Sequence, residues 1–221
     1  MAITKVTGAL LGNFAVGTNN IAIGDTALDS TNDGSPSLAI DNIAIGNAAL
    51  TANLGGASNI AVGSSALTAN TTGAYNTAVG KDALKANTTA SNNTAMGWQA
   101  GLATTTGASN AFLGQYSGAS NTEGNYNVAV GALSLDADTK GSTSVAVGYQ
   151  ALSAQNFTTA TDVFNTAVGY ASGLAVTTGK SNTFIGAETG KANSTGENNT
   201  FIGHEAGEAN TTASNNTAVG R

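Results

Sequence analysis

A pentapeptide of the form Asn-x-Ala-Val-Gly, with close variants, recurs thirteen times along the chain. A fixed period of this kind constrains the fold more than any other feature of the sequence. Its glycines are Gly17, Gly24, Gly46, Gly63, Gly80, Gly97, Gly114, Gly131, Gly148, Gly169, Gly186, Gly203 and Gly220. The spacing is 17 residues six times running from Gly46 to Gly148, and three more times after Gly169. Two intervals are longer, 22 residues from Gly24 to Gly46 and 21 from Gly148 to Gly169. They read as one repeat carrying insertions of five and four residues, whereas the first interval, Gly17 to Gly24, is only seven.

One unit, Asn76 to Asn92, holds a short β-type run (Thr77 to Val79), the anchor Gly80, a second apolar run (Ala83 to Ala86) and an Asn87-Thr88-Thr89 turn. Short apolar runs bounded by Gly and Asn read as strands. Seventeen residues cannot hold a helix pair, so helical solenoids are excluded. The expectation is an all-β chain: a parallel β-solenoid of ~17-residue coils, with two strands and two turns per coil. Strands stacked at ~4.8 Å make such an array a rod on the order of 60 Å long. Residues 1–12 read as an N-terminal arm or attachment segment, and residues 13–221 as the β-roll repeat domain. Insertions near 25–41 and 152–164 are expected to project as loops, and Phe157 and Phe164 suggest that the second folds back and packs.

Composition agrees. Charged residues are 9% and aromatics 5%, with 29 Gly, 26 Asn and the single proline Pro36, too few bulky side chains for a conventional core. Yet 41% apolar content at low charge is not the composition of a disordered chain. The net charge of −6, six scattered Lys and the single Arg221 argue against nucleic acid. There is no Cys, and no apolar run approaches the ~18 residues of a membrane span. The start, with one Lys and the weakly apolar Val6 to Leu11, does not read as a secretory signal.

Val, Ile, Met or Leu stands immediately before each anchor, and Ala or one of Phe112, Phe184 and Phe201 before that. Neighbours on a strand face opposite sides, so both faces are apolar. One packs inside the coil. The other needs a second cover, and further copies of the same chain supply it most economically; a homotrimer is expected. Each Phe repeat also has Gly four residues after its anchor (Gly118, Gly190, Gly207). The six repeats with Leu there (Leu28, Leu50, Leu67, Leu84, Leu135, Leu152) carry Ala at the Phe position. Exchanging Ala plus Leu for Phe plus Gly conserves filled volume. Gly101 and Gly173 break the rule, since they accompany Ala.

The runs Asn20-Ile-Ala-Ile-Gly24, Asn59-Ile-Ala-Val-Gly63 and Asn127-Val-Ala-Val-Gly131 resemble the head repeats of YadA-type trimeric autotransporter adhesins. That resemblance implies left-handed parallel β-rolls built as intertwined homotrimers. The family's usual coil is 14 residues. The longer form here, as in Asn165-Thr-Ala-Val-Gly169, resembles a variant found in phage tail-fibre and virion structural proteins.

Few side chains suggest chemistry. His204, the only His, stands one residue after an anchor, where other repeats place Trp98, Tyr149 or Tyr170. Asp136 with Asp138 and Glu205 with Glu208 form acidic pairs, but in variable positions that lack calcium-loop spacing. No catalytic, cofactor or metal residues are expected, and no enzyme. The sequons at Asn70, Asn87, Asn156, Asn193 and Asn210 read as turns, with a ladder of inward-facing amides between coils as one form that reading takes. Aromatics outside the strands are the candidate receptor contacts: Tyr149, Tyr170, Trp98, Tyr116 and His204 at or beside one turn, and Tyr75 and Tyr126 at the opposite one.

Three function classes follow. The first is a fibre or spike component of a virion, structural and receptor-binding, with itself, other fibre proteins and a cell-surface glycan or protein as partners. The second is the head of a trimeric adhesin on a bacterial surface. The third is an ice-binding solenoid, which would need Thr-x-Thr rows where the strand reads Thr-Ala-Val. Nucleic acid and membrane insertion are not expected in any of them.

Overall fold

A computed structural model describes residues 19–29 and 39–221. Twelve three-residue strands, from Ile21–Ile23 to Thr217–Val219, form one parallel sheet in chain order. Register is kept from strand to strand: Thr77 pairs with Thr94, Ala78 with Ala95 and Val79 with Met96, and every other pair repeats the pattern. No α-helix occurs among the described residues. The chain is an all-β parallel solenoid whose coils advance by one strand each, and at ~4.8 Å per coil the ladder is about 50 Å long. The segment 1–12, the anchor Gly17 and most of the first insertion lie outside the described residues.

Within each strand of the sheet only the middle residue is interior, and in the last, Thr217–Val219, it is half-buried. Ala78 and Phe112 are fully buried, while the residues on either side are half-buried or exposed. The inner row of Ala and Phe meets the Leu row from across the coil in one continuous core. Phe184 and Phe201, in successive coils, stack with ring centroids 5.7 Å apart.

The expectation of two strands per coil is corrected. The second apolar run is a series of tight turns in which two residues adopt left-handed conformations, Asp82 at φ 59° and Leu84 at φ 48°. Alternating hands break the pleat yet keep amides aimed along the axis. Asp82 N–H donates back to Ser64 O at 2.9 Å, and Leu84 N–H donates forward to Ala100 O at 3.0 Å. The coil wall is thus hydrogen-bonded without being a strand.

At the anchor the backbone leaves no room for a side chain. Gly63 has φ 130°, and a Cβ there would stand 2.6 Å from the carbonyl of Gly80 in the next coil. Only Gly permits both that conformation and that approach.

Two inward polar ladders tie coils together. An Asn precedes every strand of the sheet except Val145–Val147, which follows Ser144, and its side-chain oxygen accepts the backbone N–H of its successor: Asn42 from Asn59 at 2.8 Å, Asn59 from Asn76 at 2.9 Å. Its amide reaches across the coil, as Asn59 Nδ2 does to Gly73 O at 2.8 Å. The turn Asn forms the second ladder, Asn87 Nδ2 donating to Asn70 Oδ1 at 2.7 Å. Asn70, Asn87 and Asn193 are therefore buried turn residues, as the turn reading of these sequons expects.

The second insertion does not project freely. Thr161 and Asp162 pair in parallel with Gly141 and Ser142 of the preceding coil. Phe157 is buried, and its carbonyl accepts from Lys140 N–H at 2.9 Å and Thr139 Oγ1 at 2.8 Å. Only residues 158–160 remain as a wholly exposed run within it. Phe164, in contrast, is exposed and stands in the turn row of Tyr75 and Tyr126.

Candidate binding surface

Most of the candidate contact residues lie on the turn that follows each anchor. That turn reverses direction in two residues, and its second residue is left-handed in every described coil; its side chains are half-buried or exposed except at Asp82 and Ala171. Tyr149 and Tyr170, each one residue past an anchor, stack at a centroid distance of 5.8 Å and an interplanar angle of 12°. Their identical place in successive coils accounts for the stack. Trp98 and Tyr116 meet at 5.0 Å with planes tilted by 55°. His204 occupies the same edge, exposed, with Nδ1 3.6 Å from a Glu205 carboxylate oxygen. Tyr75 and Tyr126 are exposed on the opposite turn, but three coils separate them and the structure does not bring them together.

Beside Tyr116 lies an open groove of about 550 Å³. Its walls are Tyr116 and Leu133 from the post-anchor turn, and Leu102 and Asp136 from the next turn of their coils, with the small Ala119 and Ser120 between. Asp136 Oδ1 accepts from Ser153 Oγ at 2.6 Å. Sequence reading singled out Trp98 and Tyr116 but missed this groove. Its signal was present: Tyr116 and Leu133 are the only adjacent large apolar pair in the second post-anchor position, which elsewhere holds Thr, Ala, Ser, Asp, Gln or Glu.

The acidic pairs do not act as pairs. Asp138 is interior, whereas Asp136 faces the groove. Burial pushes the Asp138 carboxyl above its ordinary value, partly offset by donation from Phe157 N–H, the Gln155 amide and Gly141 N–H. Glu205 faces His204 and Arg221, while Glu208 is exposed. Among the described residues no three His, Cys, Asp or Glu side chains stand together as a metal site.

The second feature is the outward strand face. Its two rows run Ile21, Ile43, Ile60, Thr77 and onward, and Ile23, Ile45, Val62, Val79 and onward, with no charge in any of the twelve strands. Met96 is 45% exposed, and Ile23 and Ile185 are close to that. Comparison with protein families, with curated proteins and with solved structures finds no match to this chain.

Proposed function

We propose that the chain is the rod of a virion fibre or spike, three left-handed rolls associated through their outward strand faces, with the post-anchor turns free to meet a receptor. The observation that carries this is the uncharged outward face. It is ~50 Å long and about 10 Å wide; one of its rows is apolar throughout, and the other mixes Ile, Val and Ala with six Thr, which leaves a long apolar stripe of the kind that marks an interaction surface. Parallel register along the whole ladder makes the face straight and periodic, which suits lengthwise association of identical rods. Threefold closure covers all three faces at once and leaves no open face to propagate aggregation. The resemblance to adhesin-type and tail-fibre repeats supplies the setting. One outward row contains no Thr at all, which favours burial of this face over ordering water on it.

Analytical ultracentrifugation tests the assembly. A folded species at three times 21.5 kDa is expected, and a folded, soluble monomer overturns the reading. Val79→Glu with Ile185→Glu should dissociate the trimer while Ala78 and its row stay packed. Immunogold electron microscopy of producing cells and released particles tests the setting. Label on projecting fibres is expected; label confined to the cell envelope would favour the surface adhesin instead.

A further inference from the structure

We propose that the groove beside Tyr116 is a carbohydrate subsite that takes an N-acetylhexosamine unit of a neutral glycan. This deepens the fibre reading and takes its biological setting from it. The groove's volume of about 550 Å³ lies within the range of roughly 300–1,000 Å³ usual for small-molecule sites. Three features of its wall select the ligand.

The first is the ring of Tyr116, the one aromatic among the lining residues, against which Trp98 packs from outside that lining at a centroid distance of 5.0 Å. A pyranose ring offers an apolar C–H face to such rings and hydroxyls on its rim, matching an aromatic wall with one wet side. The second is the floor. Ala119 is small where the coils on either side carry Leu102 and Asp136, so a shallow apolar seat opens between Leu102 and Leu133. That seat suits the methyl of an acetamido group. The third is Asp136, the groove's only ionisable acid. Ser153 Oγ holds one carboxylate oxygen at 2.6 Å, and no ion pair engages the side chain, so Oδ2 is available to accept an amide N–H or hydroxyl. An anionic sugar or phosphate would meet this carboxylate without a cation to relieve it, which excludes acidic glycans. None of these residues is demanded by the fold. Other coils place Ala, Ser or Gln in the left-handed position of Tyr116.

Isothermal titration calorimetry of the full chain with chitotetraose, the tetramer of N-acetylglucosamine, tests the site. Saturable binding at micromolar to millimolar concentration is expected. Tyr116→Ala and Asp136→Ala should each weaken it by about tenfold or more, the loss of one stacking surface or one charge-assisted hydrogen bond. Phe164→Ala, an exposed aromatic on the opposite turn, should leave it unchanged. Cellotetraose, which lacks the acetamido groups, should bind about tenfold more weakly. No saturable binding of chitotetraose, binding indifferent to Tyr116→Ala, or equal affinity for cellotetraose would overturn the proposal. Sedimentation of the same samples separates the two readings. A trimer that does not bind leaves the fibre and removes the subsite, and a monomer that binds does the reverse. Dissociation of the trimer by Tyr116→Ala would make the groove a protein interface and also overturn the proposal.

Discussion

The ring of Phe112 lies against the bare α-carbon of Gly101, one coil back in the rod: a Cβ on Gly101 would stand 2.8 Å from Phe112 Cδ2. The same ring also fills the space that Gly118 leaves in its own coil. Phe184 repeats the arrangement, sitting between Gly173 and Gly190. The size exchange therefore spans two coils, and Gly101 and Gly173, which accompany Ala in their own coils, are explained by the Phe of the next. Phe112→Ala should cost ~3–5 kcal/mol through the cavity it opens. Adding Leu at both 101 and 118 should recover most of that, because Leu already occupies this left-handed position in six coils, at φ 48–53°. Urea denaturation of the single and triple variants measures both. A triple variant no more stable than Phe112→Ala alone would show that Gly is needed there for its backbone.

Register, parallel order and the inward Ala row were legible in the sequence because strand alternation and a 17-residue period leave one arrangement for them. The shared place of Tyr149 and Tyr170 one residue past successive anchors followed from the same count. The turns around Leu84 were not legible. Leu has no preference for positive φ, and its apolar neighbours Ala83 and Ala86 mimic a strand; only the pull of the core holds Leu84 at φ 48°. The groove was hidden for another reason. Leu102, Tyr116, Ala119 and Leu133 come from three coils and two turn positions, so no short window of sequence contains them.

Burial of the middle strand residue makes the ladder intolerant of charge. Ala78 is fully buried, with Ala61 and Ala95 as its register partners in adjacent strands. Ala78→Asp would place a carboxylate there with no counter-charge, at a cost of several kcal/mol. The expected outcome is loss of the β-sheet circular dichroism signal and of soluble protein. A soluble variant with an unchanged melting temperature would mean that this row is not interior.

The turn ladder is interrupted at the apolar Val176 and, with polar atoms left over, at Thr104. Thr104 stands where neighbouring coils carry Asn, and both Thr104 Oγ1 and Asn87 Oδ1 are buried without a hydrogen-bond partner. Elsewhere that oxygen receives an amide from the next coil, as Asn70 Oδ1 does from Asn87. Thr104→Asn should supply the missing donor to Asn87 and offer Asn121 an acceptor. Satisfying two buried polar atoms should stabilise the fold by ~1–3 kcal/mol, read as a higher melting temperature. An unchanged or lower value would mean that the coil has no room for the longer Asn side chain.

At Asp138 the same ladder carries an acid. Its oxygens accept from Gln155 Nε2 at 2.6 Å, Phe157 N–H at 2.9 Å and Gly141 N–H at 3.1 Å. Gln155 in turn donates to Ser144 at 3.0 Å and accepts from Asn165 at 2.9 Å, so the longer side chain compensates for Ser where the strand ladder otherwise has Asn. Desolvation outweighs these donors and raises the carboxyl above its ordinary value. The folded state thus holds a proton at pH values where the unfolded chain has released it, and stability falls as pH rises through that window. The informative quantity is the difference between variant and parent, in which contributions from every other group cancel. The melting temperature of Asp138→Asn minus that of the parent should grow more positive from about pH 3 upward, then level off once the buried carboxyl has ionised. A difference that stays constant across that range would mean Asp138 titrates as it does unfolded, with its three donors fully offsetting burial.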